Sequence, residues 1–250
     1  MFEVTQRGEV AVLRMSHGKA NTIDLEFCQS IGERLEEIKD SSAKALVLIG
    51  EGNIFSAGLD LFRVLDEGSD YLQSLDPALS TVFGRLFFYP KPVVAAVNGH
   101  AIAGGCVLAC TADHRIMARG TGTIGLPELL VGVPLPTLAF EIMRFVTKSQ
   151  RLQTMLYGGA TYLPEDAASL GLVDELVEPS DLLDRAVERA EKLTTISPKV
   201  FEHTKRQIRQ PVLERVRDGQ SSFEPSVRDM WAAPETLEAI RNYVSRTLKK

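Results

Sequence analysis

Residues 92–128 read PVVAAVNGHAIAGGCVLACTADHRIMARGTGTIGLPE, and the fold turns on them. Val93–Val97 is an unbroken apolar run, the pattern of a strand buried on both faces. Asn98-Gly99 breaks it. Ala103-Gly104-Gly105 opens a helix of small residues through Cys106, Val107, Leu108 and Ala109, and His114–Ala118 is the next strand. Leu126-Pro127-Glu128 closes the stretch with a carboxylate beside a proline. Glycine at a helix start leaves backbone N–H groups bare and lets a ligand approach them. Such groups suit a negative charge developing on oxygen. The pattern makes Gly104 a candidate donor and Glu128 a candidate proton carrier beside it.

On the N-terminal side, Phe2–Gln6 and Val10–Met15 flank Gly8-Glu9 as a hairpin. Residues 25–41 carry Phe27, Cys28, Ile31, Leu35 and Ile38 at helical spacing, with Thr22 or Asp24 as the cap. Residues 45–49 form a buried strand, followed by a second small-residue turn, Phe55-Ser56-Ala57-Gly58-Leu59-Asp60-Leu61. Leu72, Leu75, Leu79, Val82, Phe83, Leu86 and Phe87 make another helical stripe, whereas 61–74 has no clear period and reads as a candidate flap. On the C-terminal side, helices are expected over 134–146, 149–157 and 164–170, a short strand over 173–177 and a helix over 180–195. Beyond Ser197-Pro198 only helices are read, the last over 236–248. Strand and helix alternate over the first ~180 residues, which argues an α/β fold.

The 250 residues carry a net charge of −5 and 44% hydrophobic content, enough for a substantial core and against general nucleic-acid or anionic-membrane binding. Cys28, Cys106 and Cys110 make no disulfide framework or metal set and read as buried free thiols in a reducing cytosol. MFEVTQRGEV has no basic segment followed by an apolar core, so no signal peptide is expected, and no run reaches the ~18 apolar residues of a membrane span. There is no GxxxxGK[ST], GxGxxG or GxSxG word. His114 beside Asp113 reads as an ion pair at a helix-to-strand corner rather than as half of a triad, and Arg144, Lys148 and Arg151 as a solvated face. Glu128 taken alone would be an ordinary acid at a helix start, favoured by the dipole.

Three words change that reading: FSAGLDL at 55–61, PKPVVAAVNGHAIAGGCVLA at 90–109 and GLPELLVGV at 125–133. In this order and spacing they resemble the crotonase superfamily, or enoyl-CoA hydratase/isomerase family. The resemblance implies a spiral of ββα units over 1–195 and a C-terminal helical region, 196–250, that mediates assembly into a homotrimer or hexamer. It implies an acyl-CoA substrate and no metal or other cofactor, and the cysteine usage adds the expectation of a cytoplasmic protein. The resemblance lays two oxyanion donors on the amides of Ala57 and Gly104, gripping the thioester carbonyl as an enolate forms. It gives the Lys19-Ala20-Asn21 turn to the CoA nucleotide, with Lys19 as a phosphate contact and Asp60-Leu61 lining the adenine side.

One departure bears on the reaction. Hydratases of the family carry two glutamates, one matching Glu128 and one at the position of Val107. Water addition asks for two proton-handling groups, whereas moving a double bond from the 3,4 to the 2,3 position asks for one base that takes a proton from C2 and returns it at C4. Similar family isomerases pair an apolar residue with a glutamate. The expectation is a Δ3,Δ2-enoyl-CoA isomerase. The alternatives are a hydratase in which another acid, such as Glu141, stands in, and a non-catalytic acyl-CoA-binding protein. Val133-Pro134-Leu135-Pro136 is expected to reshape the acyl pocket.

Overall fold

The structure, a computed structural model, describes residues 2–147 and 149–247; Lys148 and the end of the last expected helix, Leu248, lie outside the described residues. In chain order the elements are β1 (Glu3–Arg7), β2 (Val10–Met15), β3 (Thr22–Ile23), α1 (Leu25–Asp40), β4 (Ala45–Gly50), β5 (Ile54–Ser56), β6 (Gly58–Leu59), α2 (Leu61–Phe87), β7 (Val93–Val97), β8 (His100–Ile102), α3 (Gly104–Cys110), β9 (His114–Ala118), β10 (Ile124–Gly125) and α4 (Glu128–Val131). There follow α5 (Thr137–Val146), α6 (Ser149–Gly158), β11 (Thr161–Tyr162), α7 (Pro164–Leu170), β12 (Glu175–Val177), α8 (Leu182–Thr194), α9 (Pro198–Ser222), α10 (Glu224–Ala232) and α11 (Pro234–Thr247).

The long apolar runs build one six-stranded sheet in the order β1-β2-β4-β7-β9-β12, antiparallel at β1/β2 and parallel elsewhere. Side chains alternate across it with the period of a strand. Val10, Val12, Val47, Ile49, Val94 and Ile116 face Leu182, Ala186 and Ala190 of α8. Leu13, Leu46, Leu48, Ala95, Val97 and Met117 face the main core. Covering both faces is what a parallel sheet of continuous apolar strands requires, and each Val or Leu so buried contributes about 1.5–3 kcal/mol.

The second strand of each pair joins a smaller sheet. β5, β8 and β10 lie side by side in the order β11-β10-β8-β5, while β3 pairs with β6. The chain thus repeats strand, short strand, helix: β4-β5-α2, β7-β8-α3, β9-β10-α4. Because the short strands are neighbours, the loops that lead from them into α2, α3 and α4 converge. This is the ββα spiral expected from the sequence, with helices α9–α11 after it.

Three expectations change. Residues 61–74 are not a flap: α2 begins at Leu61, where the Asp60 carboxylate accepts from the N–H groups of Phe62 and Arg63, and it is interrupted only at Gly68 (φ 73°, ψ −155°). Helix α5 starts at Thr137, not at Pro134, because Pro136 disfavours helical backbone angles at Leu135 and itself stands extended (φ −56°, ψ 149°). Asp113 does not pair with His114; it takes Lys205 (2.7 Å) and Arg209 (2.9 Å) from α9, while His114 lies 3.8 Å from each of Asp174 and Glu175. Of the two cap candidates it is Asp24 that caps α1, accepting from Phe27 N–H at 2.7 Å, and, as read from sequence, the three cysteines are free and buried.

Candidate active site

Each of the three converging junctions supplies one part of the site. At the first, Ser56 is fully buried; its hydroxyl donates to the Asn21 carbonyl (2.7 Å) and accepts from Gly58 N–H (3.2 Å). Asn21 (φ 47°) stitches the Lys19-Ala20-Asn21 turn to β5 through its side-chain amide and the Ile54 carbonyl, a backbone conformation asparagine tolerates better than most residues. Ala57 N–H donates to the Ala20 carbonyl at 3.0 Å, so it is not free to meet a substrate oxygen. The amide two residues on, that of Leu59, is. β3 and β6 pair in parallel with Ile23 opposite Leu59, and Asp60 N–H donates to the Ile23 carbonyl at 3.2 Å. In such a ladder one residue bonds to both neighbours of its opposite number, whose own N–H points away. Leu59 N–H therefore turns from β3.

At the second junction Ala103 holds φ 54° and ψ −125°, a conformation costly for a residue with a side chain, and such strain concentrates at functional turns. Its N–H donates to the Gly125 carbonyl at 2.9 Å. Gly104 follows as the first residue of α3, so its N–H has no partner within the helix. Gly105 permits the close approach: a Cβ there would meet the Ser56 carbonyl oxygen at 2.1 Å. The junctions are in contact, since a Cβ on Gly58 would come within 3.1 Å of Gly104 N.

At the third junction Glu128 opens the single turn α4, closed by Gly132 (φ 92°), whose N–H donates to the Glu128 carbonyl. A Cβ on Gly132 would press on Ala239 of α11 at 2.6 Å, so α11 packs directly on this turn. Glu128 is 6% exposed, makes no ion pair with the described residues, and its Oε2 has no hydrogen-bond partner. Burial pushes its pKa from the ordinary 4.5 up to about 7. The helix-start role alone would leave such an acid in solvent; here it faces inward.

The junctions wall a cavity of about 680 Å³, the size of a small-molecule site. Of the residues singled out from sequence, Ala20, Ala57, Asp60, Leu61, Gly104 and Glu128 line it, and Lys19, exposed, does not. Val107 lies on the wall, fully buried, at the place where a second acid would stand. Glu141 does not reach the cavity; its carboxylate is taken by Arg144 (2.9 Å) and Arg215 (2.5 Å). Val133, Pro134, Leu135 and Pro136 also line the cavity, and the Trp231 indole N–H donates to the Pro134 carbonyl (3.0 Å).

The sequence reading missed Leu59 and the cover of the cavity. Val227 and Trp231 of α10 and Tyr243 of α11 line the chain's own site. Tyr243 stands near enough to Glu128 for that charge to help burial raise the phenol pKa. Only an apolar stripe on the tail helices hinted at such a role, and it reads equally as an oligomer contact.

Residues 5–244 match the profile of the family described as Enoyl-CoA hydratase/isomerase. The chain belongs to the enoyl-CoA hydratase/isomerase family. Within it, mitochondrial enoyl-CoA delta isomerase 1 of Rattus norvegicus is 30% identical over 218 residues, 85% of this chain and 75% of the rat protein. The 2,3-dehydroadipyl-CoA hydratase of Escherichia coli is 32% identical over 211 residues, 83% of this chain and 81% of that protein. The crystal structure of human mitochondrial delta3-delta2-enoyl-CoA isomerase shares the fold, with a TM-score of 0.93 over 99% of this chain and 98% of its own, at 24% identity. Isomerases and hydratases of the enoyl-CoA hydratase/isomerase family are thus about equally similar to this chain, and its reaction has to be argued from the site.

Proposed function

We propose that the protein is a Δ3,Δ2-enoyl-CoA isomerase in which Glu128 is the sole proton shuttle and the amides of Leu59 and Gly104 hold the thioester oxygen. The observation that carries this reading is the Glu128 carboxylate at the converging junctions: it lines the cavity with Oε2 unpaired, Val107 occupies the other acid position, and Glu141 is bound to two arginines. The thioester carbonyl of a 3-enoyl-CoA sits between the two amides. Glu128, ionised, takes a proton from C2; the electron pair moves into a dienolate whose negative charge rests on the carbonyl oxygen. Donors oriented beforehand toward that oxygen lower the barrier, each by about 10²–10³ in rate. Glu128 then returns the proton at C4 and the double bond stands at C2–C3. A pKa of about 7 suits both halves of this shuttle, since the group is ready to accept and to give at neutral pH.

The Ala20, Asp60 and Leu61 edge of the cavity takes the CoA arm, and Lys19, one residue beyond, meets a phosphate at the surface. The enzyme works in the cytoplasm as a homotrimer or hexamer, which light scattering of the purified protein tests. The reaction is tested by supplying 3-hexenoyl-CoA and crotonyl-CoA separately. Rapid formation of 2-hexenoyl-CoA with slow hydration of crotonyl-CoA is the expected result. Hydration at the faster rate would reverse the reading in favour of a hydratase, and binding of both without turnover would leave an acyl-CoA-binding protein.

A further inference from the structure

Four acids line the cavity, Asp60, Asp76, Glu128 and Asp229; Glu128 serves the proposed reaction and Asp60 caps α2, and of the other two Asp76 is the one with a buried carboxylate oxygen left unpaired. Asp76 stands on α2 among Leu72, Leu75 and Leu79, which line the same wall. Its Oδ1 has no hydrogen-bond partner, and its Oδ2 reaches Arg228 Nε only at 3.5 Å, long for an ion-paired hydrogen bond. A turn about the soft χ2 of the carboxylate presents either oxygen to the cavity. The next residue, Pro77, lies inside α2 and has no N–H to give the Gln73 carbonyl one turn back. The Asp76 Oδ1 therefore stands short of a donor beside a wall of leucines. Burial and the charge of Glu224 push the Asp76 pKa up, the mark of a carboxylate that is poorly served by its neighbours. Leaving acceptors unpaired inside a protein is costly, and a ligand carrying a donor removes that cost.

The distance to the reacting centre sets the kind of ligand. Phe83 of α2 packs at Gly104, its ring 3.9 Å from where a Cβ would stand. Asp76 lies two helical turns before it, about 10 Å along the axis. An extended chain advances about 1.2 Å per bond, so about eight carbons cover that span. The charges nearby choose among donors. Glu224 stands near enough for its charge to act on Asp76, with Arg228 as the counter-charge, which disfavours a second carboxylate at the chain end. An ammonium would have to leave water for an apolar cavity, at far greater cost than a hydroxyl.

We propose that the Asp76 end of the cavity is a subsite for a hydroxyl near the tail of the acyl chain, making medium-chain enoyl-CoAs hydroxylated about eight carbons from the thioester the preferred substrates. This rests on the acyl-CoA reading of the same cavity. Calorimetry with octanoyl-CoA, 8-hydroxyoctanoyl-CoA and the ω-carboxylate suberoyl-CoA tests it on the wild type, Asp76→Asn and Asp76→Leu. The wild type is expected to bind the hydroxylated ligand about tenfold tighter than octanoyl-CoA, the yield of one hydrogen bond to a charged acceptor. Asp76→Asn keeps part of the preference and Asp76→Leu reverses it, while still binding octanoyl-CoA. Equal wild-type affinities, tighter binding of suberoyl-CoA than of octanoyl-CoA, or a preference unchanged in Asp76→Leu would overturn the subsite. Turnover of the matching 3-enoyl-CoAs separates the two proposals. A binding preference without turnover removes the isomerase and keeps the subsite, and turnover without preference does the opposite.

Discussion

Glu128→Gln is expected to abolish activity and, above neutral pH, to stabilise the protein. Both effects come from the same burial. The folded-state pKa of about 7 lies above the ordinary 4.5, so between these values the folded state holds a proton that the unfolded state has released. Stability then falls as pH rises through this window, and above pH 7 the full difference, about 3 kcal/mol, weighs against the fold. The group is almost wholly buried, so solvent screening takes little from this figure. Glutamine removes the charge without removing volume. The variant should therefore melt roughly 6–12 °C above the wild type at pH 8, and the gap should close toward pH 5, where the native carboxyl is protonated too. Removing the base should cost about 10²–10⁴ in kcat for 3-hexenoyl-CoA, and wild-type kcat should climb with pH to a plateau above about 7. Thermal melts at pH 5 and pH 8, with the conjugated thioester product followed by absorbance, measure both. A variant within tenfold of wild-type activity, or a melting difference that is the same at both pH values, would refute the argument.

Gly104→Ala should fold with a loss of no more than about 1–3 kcal/mol, because its Cβ would meet the end of Ile23 at 3.3 Å and can be accommodated, yet it should lose at least about tenfold in kcat by crowding the oxyanion donor. Gly105→Ala, with its Cβ 2.1 Å from the Ser56 carbonyl oxygen, should give little folded protein; the pair is compared by circular dichroism and by rate. Val107→Glu returns a second carboxylate to the cavity, so the apparent pKa of the isomerisation profile should rise by like-charge repulsion and crotonyl-CoA hydration should increase at least about tenfold; a pH–rate profile without a shift would count against their shared location. Asp113→Asn leaves Lys205 and Arg209, both buried, without their anion, and urea denaturation should show a loss of about 3–5 kcal/mol with kcat little changed.

The elements legible in the sequence were those whose burial imposes a period. Val93–Val97 and Ala45–Gly50 are covered on both faces and read as continuous apolar runs, and the stripe from Leu72 to Phe87 reads as a helix. The short strands Thr22–Ile23, Gly58–Leu59 and Ile124–Gly125 span too few residues to show any period. They decide the fine structure of the site all the same. Which amide of the first turn is free follows from the pairing of Ile23 with Leu59, a tertiary fact with no local signal; hence the turn is legible in the sequence, but that the Ala57 amide is taken and the Leu59 amide turns away from β3 is not. Residues 61–74 misled for the opposite reason. The cap at Asp60 was present, but Gly68, Ser69 and Asp70 weakened the helical pattern, and the cavity-facing residues Leu61 and Leu72 stand on two helical pieces rather than on one stripe.

The proposed catalysis by aimed amides demands that the amides stay aimed, and α3 is held at both ends. At its start, strained Ala103 is pinned to Gly125 and Gly105 leaves no gap against Ser56. At its end, Arg209 donates to the carbonyls of Thr111 (3.0 Å) and Ala112 (3.2 Å), and also to that of Phe87, the last residue of α2. One guanidinium from the tail thus satisfies carbonyls that two helix ends leave unpaired, and Asp113 neutralises it there. The tail that fixes these helices by α9 also closes the cavity by α10 and α11. Removing it would expose Glu128 to water, lower its pKa toward 4.5 and weaken it as a base, while loosening the helix that carries the donor. The C-terminal helices are on this view part of the chemistry of their own chain, whatever they also do between chains.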